Sequence, residues 1–319
     1  MKRVIFVLAS GLLVLCSCSS DETSTGPGQG AAGGASSSGG GSGGSSSGTG
    51  GTGASGGGGS SSGTAGGGGS SSGSGGSGGN GGAGPLYLVS IDHAASPSTL
   101  LKIDVATGSS QVACSLPSGV DAVNYHSSTF NRDGTLYGSN YQSGSLDIID
   151  PCSCAVTPLG QTGYGTIPGI TADYAVGLYG IEVTNDLLLA LDPNTAAGSQ
   201  VGPLGVDFGT SGATWSDQLD GGNGGLYGIN GPSNQLFTIH RTTGAASPLV
   251  FITGLTFSSV GIELHPGDGV IYACTDDARL YTINPGNGAA TAIGNGMGHV
   301  AVCNNLAAPW KPVPCLESM

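Results

Sequence analysis

The chain has 319 residues, 64 of them glycine, and 20 acidic side chains against seven basic ones, for a formal charge of −13. Lys and Arg are scattered rather than clustered, which excludes the phosphate-neutralising surface of a nucleic-acid binder. Past the first 20 residues no apolar run approaches the ~20 needed to span a bilayer, so no transmembrane helix is expected in the mature chain.

The N-terminus reads as an export signal. Lys2 and Arg3 precede an apolar run from Val4 to Leu15 that is broken only by Ser10 and Gly11. That run has the length of a signal-peptide core and is too short to cross a membrane. Leu15-Cys16-Ser17-Cys18 follows, with an aliphatic residue three positions and a small residue one position before Cys18. The stretch resembles the lipoprotein signal of bacterial envelope proteins. The resemblance implies cleavage after residue 17, lipidation of Cys18 and, with Ser19 rather than Asp next, sorting to the outer membrane. The lipid bilayer is then a partner through acylated Cys18. The alternative is an ordinary secretory signal with two incidental cysteines. Loss of residues 1–17 leaves five of the seven basic side chains against all 20 acidic ones. Such a surface repels anionic headgroups, so the acyl chains rather than the domain would hold the protein at the membrane.

Residues 18–84 form the next segment. Residues 21–84 contain 31 of the glycines, with Ser, Thr and Ala making up nearly all the rest. No aromatic residue and no aliphatic larger than Ala occurs, so nothing offsets the entropy of ordering. The segment is expected to be a disordered tether with an r.m.s. reach of ~40–48 Å.

From Leu86 the chain repeats. Leu86-Tyr87, Leu136-Tyr137, Leu178-Tyr179, Leu226-Tyr227 and Ile271-Tyr272 each open a strand-like segment. A polar turn follows each, then a second alternating segment such as Leu100–Asp104, Leu146–Asp150 or Leu280–Asn284. Those segments end in turn signals such as Ala106-Thr107-Gly108 or Pro285-Gly286-Asn287, after which a third short strand begins. A fourth strand leads through a hairpin, clearest at Asp133-Gly134 and Asp268-Gly269, into the next Leu-Tyr. Five units of about four strands predict an all-β, five-bladed β-propeller over residues 85–310, with residues 311–319 as a tail. The phase starts on a second strand at Leu86, and the segment 299–306 reads as a first strand. The C-terminal strand is therefore expected to complete the first blade and close the ring. A six-bladed ring with one degenerate blade is the alternative. The pattern over about residues 86–306 resembles propeller repeats of the NHL and YVTN type.

Six cysteines follow the signal: Cys114, Cys152, Cys154, Cys274, Cys303 and Cys315. An even number in an exported chain suggests disulfides, with buried free thiols as the alternative. The preferred pair is Cys274–Cys303, which would join the last blade to the closing strand. No second Cys pair or nearby His makes a zinc site of Cys152-Ser153-Cys154.

The sequence has no nucleophile elbow, no metalloprotease motif and no phosphate loop, and it implies no cofactor and no defined metal site. Strand phase places Tyr125, His126, Tyr164, Phe208, Phe257, Met297 and His299 at one end of the ring, with His93 beside them. Two readings stand for the large side chains, a ring of ligand platforms and interblade packing at the channel mouth. The ends of the Leu-Tyr strands add Ser90, Asn140, Glu182, Asn230 and Thr275. The functional expectation is a non-catalytic propeller binding a glycan, peptide or protein, with Tyr125, His126, Tyr164, Phe208, Phe257 and His299 as candidate ligand contacts. The alternative is a propeller hydrolase or lyase with a metal near the ring axis. A purely structural envelope protein is a third reading.

Overall fold

In a computed structural model the described residues are 86–319, save 118–124, 142, 174, 176 and 257. The signal, Cys18 and the tether therefore lie outside the described residues, as does Phe257.

The fold is a five-bladed β-propeller. Blade 1 contains β1 (Tyr87–Asp92), β2 (Thr99–Asp104) and β3 (Ser110–Ser115). Blade 2 contains β4 (Tyr125–Phe130), β5 (Leu136–Asn140), β6 (Ser145–Ile149) and β7 (Val156–Gln161). Blade 3 contains β8 (Gly169–Ala172), β9 (Leu178–Glu182), β10 (Leu187–Leu191) and β11 (Gly198–Pro203). Blade 4 contains β12 (Ser211–Ser216), β13 (Gly225–Asn230), β14 (Gln235–Ile239) and β15 (Ala246–Phe251). Blade 5 contains β16 (Val260–Leu264), β17 (Ile271–Thr275), β18 (Leu280–Ile283) and β19 (Ala290–Ile293). Strands run in antiparallel sequence order across each blade, so the first strand of a blade lies innermost.

Burial follows from that order. β12 is buried at every position, because neighbouring blades cover both its faces. Outer strands such as β3 and β7 keep one face in solvent. The Leu-Tyr residues sit on second strands, where Leu136, Leu178 and Leu226 fill interblade cores with β-branched and aromatic partners. In four of the five blades an Asp or Asn where the third strand ends caps the following turn: Asp104 Oδ1 accepts the Ala106 N–H at 2.8 Å, and Asp150 Oδ1 that of Cys152 at 2.8 Å, with Asp192 and Asn284 placed alike and His240 in their stead in blade 4. This is why a single short polar residue recurs there at the repeat period.

The innermost strands have an edge facing the ring axis, and side chains of the preceding blade satisfy parts of it. Ser127 Oγ accepts the Ile170 N–H at 2.9 Å, and Thr214 Oγ1 accepts the Leu264 N–H at 2.6 Å. Glu263 takes the Ala308 N–H at the last seam. A Cβ on Gly261 would stand 2.6 Å from the Asn305 nitrogen, so only glycine lets the closing segment come this near.

Closure is made by the C-terminal segment, but not as the regular strand expected from the sequence. One bridge pairs Val89 with Ala307, through Val89 N–H to Ala307 O at 2.8 Å and Ala307 N–H to Val89 O at 3.0 Å. Two residues further along, the Asn305 side chain replaces backbone pairing. Its Oδ1 accepts the Ile91 N–H at 2.6 Å, and its Nδ2 donates to Ile91 O at 3.0 Å and Tyr125 O at 3.1 Å. The amide reproduces a peptide group's donor and acceptor, so blade 1 is completed without a continuous ladder.

Among the described residues there are three disulfides, Cys114–Cys154, Cys152–Cys315 and Cys274–Cys303. The pair expected between the last blade and the closing segment is among them. The other two staple one turn of blade 2 to blade 1 and to the C-terminus. Residues 311–319, expected as a tail, belong to the fold. Helix α1 (Pro314–Glu317) carries the disulfide-bonded Cys315 and a fully buried Leu316, and Lys102 Nζ donates to Leu316 O at 2.5 Å.

Candidate functional site

Antiparallel order puts the loops entering the innermost strands and the loops after the Leu-Tyr strands at the same end of the ring. Three of the histidines meet there. Asp92 ends β1 and His93 follows it; His126 is the second residue of β4; His299 lies in the segment that leads to the closing bridge. The His93 and His126 rings stack at 5.8 Å between centroids, and the His126 and Tyr141 rings stack at 4.3 Å. Tyr141, just past β5, is 37 % exposed and forms the outer rung. The His299 side chain is fully buried with its Nδ1 3.9 Å from Asp92 Oδ1.

Asp92 is fixed from two sides. Its Oδ2 accepts the Val300 N–H at 2.7 Å and its Oδ1 accepts the Ala94 N–H at 3.2 Å. One carboxylate thus ties the end of β1 to the closing segment, with the buried imidazole beside it. Nδ1 of His93 and Nδ1 of His126 are buried without a hydrogen-bond partner, and the His299 ring has the Val302 backbone beside it. Burial, more than any other influence, pulls all three imidazole pKa values down. His126 and His299 each fall to about 4, the nearby His93 adding to the effect at both, while Asp92 partly opposes it at His93 and His299. All three rings are therefore neutral at pH 7, each with a lone pair on one nitrogen and a hydrogen on the other. Such a group stacks with a flat ligand, accepts and donates hydrogen bonds, or ligates a metal.

The large residues expected at this end are mostly packing. Tyr125 is fully buried and its hydroxyl donates to Asp147 Oδ2 at 2.5 Å, and Phe208 is buried against Phe237 with centroids 5.1 Å apart. Neither ring has a free face. Met297 is buried in the core between blades 5 and 1. Tyr164 is half-buried beside Gly198, where a Cβ would stand 2.9 Å from its ring. The polar set is spent on turns: Glu182 accepts the N–H groups of Thr184 and Asn185, each at 2.9 Å, and Asn230 Nδ2 donates to Asp207 O at 2.7 Å. Of the remaining histidines, His240 is exposed, and His265 is buried and donates to Tyr87 O at 3.2 Å. The structure thus brings together His93, His126 and His299 from the sequence reading and separates them from Tyr164 and Phe208. Asp92 and Tyr141 were missed. Their signal was positional, since each stands at the end of a Leu-Tyr strand, where this end of the ring is lined.

No family model matches the chain, and no curated protein does. Among solved structures it is similar to a Bacteroides thetaiotaomicron protein of unknown function, at 13 % identity and a TM-score of 0.47 over 70 % of this chain. The match spans 59 % of that protein's length. It is also similar to a chain of a nidogen/laminin complex at 12 % identity and a TM-score of 0.46, over 66 % of this chain and 79 % of that one. An auxiliary nutrient binding protein from Bacteroides ovatus aligns at 10 % identity and a TM-score of 0.42, over 61 % of this chain and 52 % of that one. These likenesses are too distant to bear on the site.

Proposed function

We propose that the chain is an exported lipoprotein, anchored in the outer membrane by acylated Cys18, whose Gly/Ser tether presents a non-catalytic binding propeller. The ligand is a glycan, peptide or protein segment, and it binds at the end of the ring that carries His93, His126, Tyr141 and His299. The observation that supports this reading is the stacked ladder His93–His126–Tyr141, with an exposed aromatic face beside unpaired imidazole nitrogens. Loops set on a rigid scaffold concentrate binding residues, and an aromatic ring flanked by a few convergent polar groups is the usual make-up of a small-ligand site.

The test is a glycan and peptide array probed with the purified protein. Tyr141→Ala and His126→Ala should each weaken the strongest hit by ~1 kcal/mol or more, the scale of a lost stacking contact. A hit whose affinity neither change affects would move the site elsewhere on the ring.

A further inference from the structure

We propose that the cleft between blades 3 and 4, at the end of the ring opposite the histidine rim, binds a free α-amino acid, with its ammonium on Asp173 and its carboxylate on Arg241. The cleft is lined by Asp173 from the β8–β9 hairpin, Trp215 at the end of β12, Asp217 and Asn223 from the β12–β13 hairpin, and Arg241 from the β14–β15 turn. Its volume of about 360 Å³ lies at the small end of the range for small-molecule sites.

Three departures from the repeat meet in this cleft, and the fold requires none of them. In blade 2 the position of Asp173 is taken by Asn131, whose neutral amide oxygen accepts the Thr135 N–H at 2.9 Å and closes the same hairpin. Asp173 Oδ1 does that work for the Ala175 and Gly177 N–H groups, at 2.8 and 2.7 Å. Its Oδ2 takes no hydrogen bond among the described residues. Asp173 is only 8 % exposed, so a charge that the hairpin does not need is held mostly out of water, at a cost. Arg241 stands where the corresponding turns of the other blades have Val105, Pro151, Pro193 and Pro285. Proline is preorganised for such a turn, and Arg brings it nothing. The β12–β13 hairpin spans 217–224, against 131–135, 173–177 and 265–270 in blades 2, 3 and 5. In a chain built from repeats, positions that break the local pattern without serving the fold are where function is expected.

The charges define the ligand. Asp217 is already satisfied: its Oδ1 accepts the Trp215 Nε1–H at 2.7 Å, and its Oδ2 pairs with Arg132 at 2.9 Å. Asp173 and Arg241 both lie near the Tyr179 hydroxyl, yet among the described residues neither forms an ion pair. One fixed anion and one fixed cation in the same cleft, neither matched to an opposite charge, suit a ligand that carries both charges close together. A neutral sugar gains neither ion pair, and a simple cation or anion leaves one of the two groups unmatched. Trp215, stacked on Tyr179 at 5.7 Å between centroids, gives the cleft a rigid apolar wall for the rest of the molecule.

The test is a melting-temperature screen of the disulfide-intact full chain against the common L-amino acids, one at a time, with calorimetry on those that raise the melting temperature. At least one should bind, at one molecule per chain. Its α-amide, which lacks the carboxylate, and its N-acetyl derivative, which lacks the ammonium, should each bind at least tenfold more weakly. The same loss is expected in Asp173→Asn, which keeps the hairpin bond that Asn131 makes, and in Arg241→Val, which installs the residue of the blade 1 turn. The exposed control Arg279→Ala should bind as the parent does. Failure of every amino acid to bind the folded parent overturns the site, as does binding that survives both Asp173→Asn and Arg241→Val. Binding lost in Tyr141→Ala but kept in Asp173→Asn puts the amino acid at the histidine rim, and overturns this site while leaving the rim reading in place.

Discussion

Replacing Asn305 should open the ring. Asn305 is 1 % exposed, and its side chain holds both the N–H and the C=O of Ile91, at 2.6 and 3.0 Å. Those two groups point to the same side as the N–H and C=O of Val89, which bond to Ala307. They face away from β2 and have no second strand to turn to. In Asn305→Ala both are left buried and unpaired, at a cost of ~1–3 kcal/mol each, so the loss is about 2–6 kcal/mol. Against a typical total of ~5–15 kcal/mol this is a large fraction. Asn305→Asp should do no better, because it keeps an acceptor for Ile91 N–H but sets a carboxylate against the carbonyls of Ile91 and Tyr125. The assay is urea unfolding of the disulfide-intact protein followed by the fluorescence of Trp215 and Trp310, with Asn223→Ala on an exposed turn as control. If Asn305→Ala unfolds within ~0.5 kcal/mol of the parent at the same denaturant slope, the amide is not part of closure and the reasoning fails.

Stability should also depend on pH in two opposed ways. His299, with its pKa lowered to about 4, binds its proton more readily when unfolded. Its contribution is intact above the unfolded value near 6.5 and is lost as pH falls toward 4, by roughly 3 kcal/mol in all. His299→Gln should flatten the acid limb of a melting-temperature profile, and an unchanged limb would refute the assignment. Glu263 is wholly buried, and burial holds its pKa well above the ordinary carboxyl range, so it is neutral in the fold. Stability should therefore fall as pH rises from ~4.5 through the folded pKa, and Glu263→Gln should remove that loss. A Gln variant that loses as much stability between pH 5 and pH 8 as the parent would count against this. At the other end of the chain, mass spectrometry of the mature protein should find an acylated Cys18 at the N-terminus. An unmodified N-terminus on protein released to the medium would exclude the anchor.

The fold was legible because each blade repeats the same physical problem. Most second strands set Leu or Ile into an interblade core beside a Tyr, and most tight turns are capped by an Asp or Asn, so the period is printed in the sequence. Strand phase favoured five blades over six and made Cys274–Cys303 the preferred pair, and both are found. The closing segment was only half legible. His299 to Leu306 alternates well enough to suggest a strand, but Asn305 binds Ile91 through its side chain, and no periodicity reveals when an amide stands in for a backbone. The fate of residues 311–319 was hidden for a similar reason. Their hold on the ring is the Cys152–Cys315 disulfide and the burial of Leu316, both long-range contacts.

The candidate rim cluster was legible in its histidines and illegible in its aromatics, and a break in strand register is the reason. Tyr125 pairs with Asn140 and Ser127 with Ser139, so His126 is the extra residue of a β-bulge at the start of β4. Tyr125 meets the Asp147 carboxylate inside blade 2, and His126 meets His93 and Tyr141 at the rim. Sequence phase gives the end of the ring but does not reveal a bulge. The rim cluster also depends on closure. His299, Cys303 and Asn305 lie on one short segment, and Asp92 holds that segment by the Val300 N–H with the His299 ring beside it. The residues that shut the propeller thus assemble its candidate site, and His299 can stand beside Asp92 only in a closed ring. A change that loosens the latch, such as Asn305→Ala, should therefore weaken ligand binding before the blades themselves unfold.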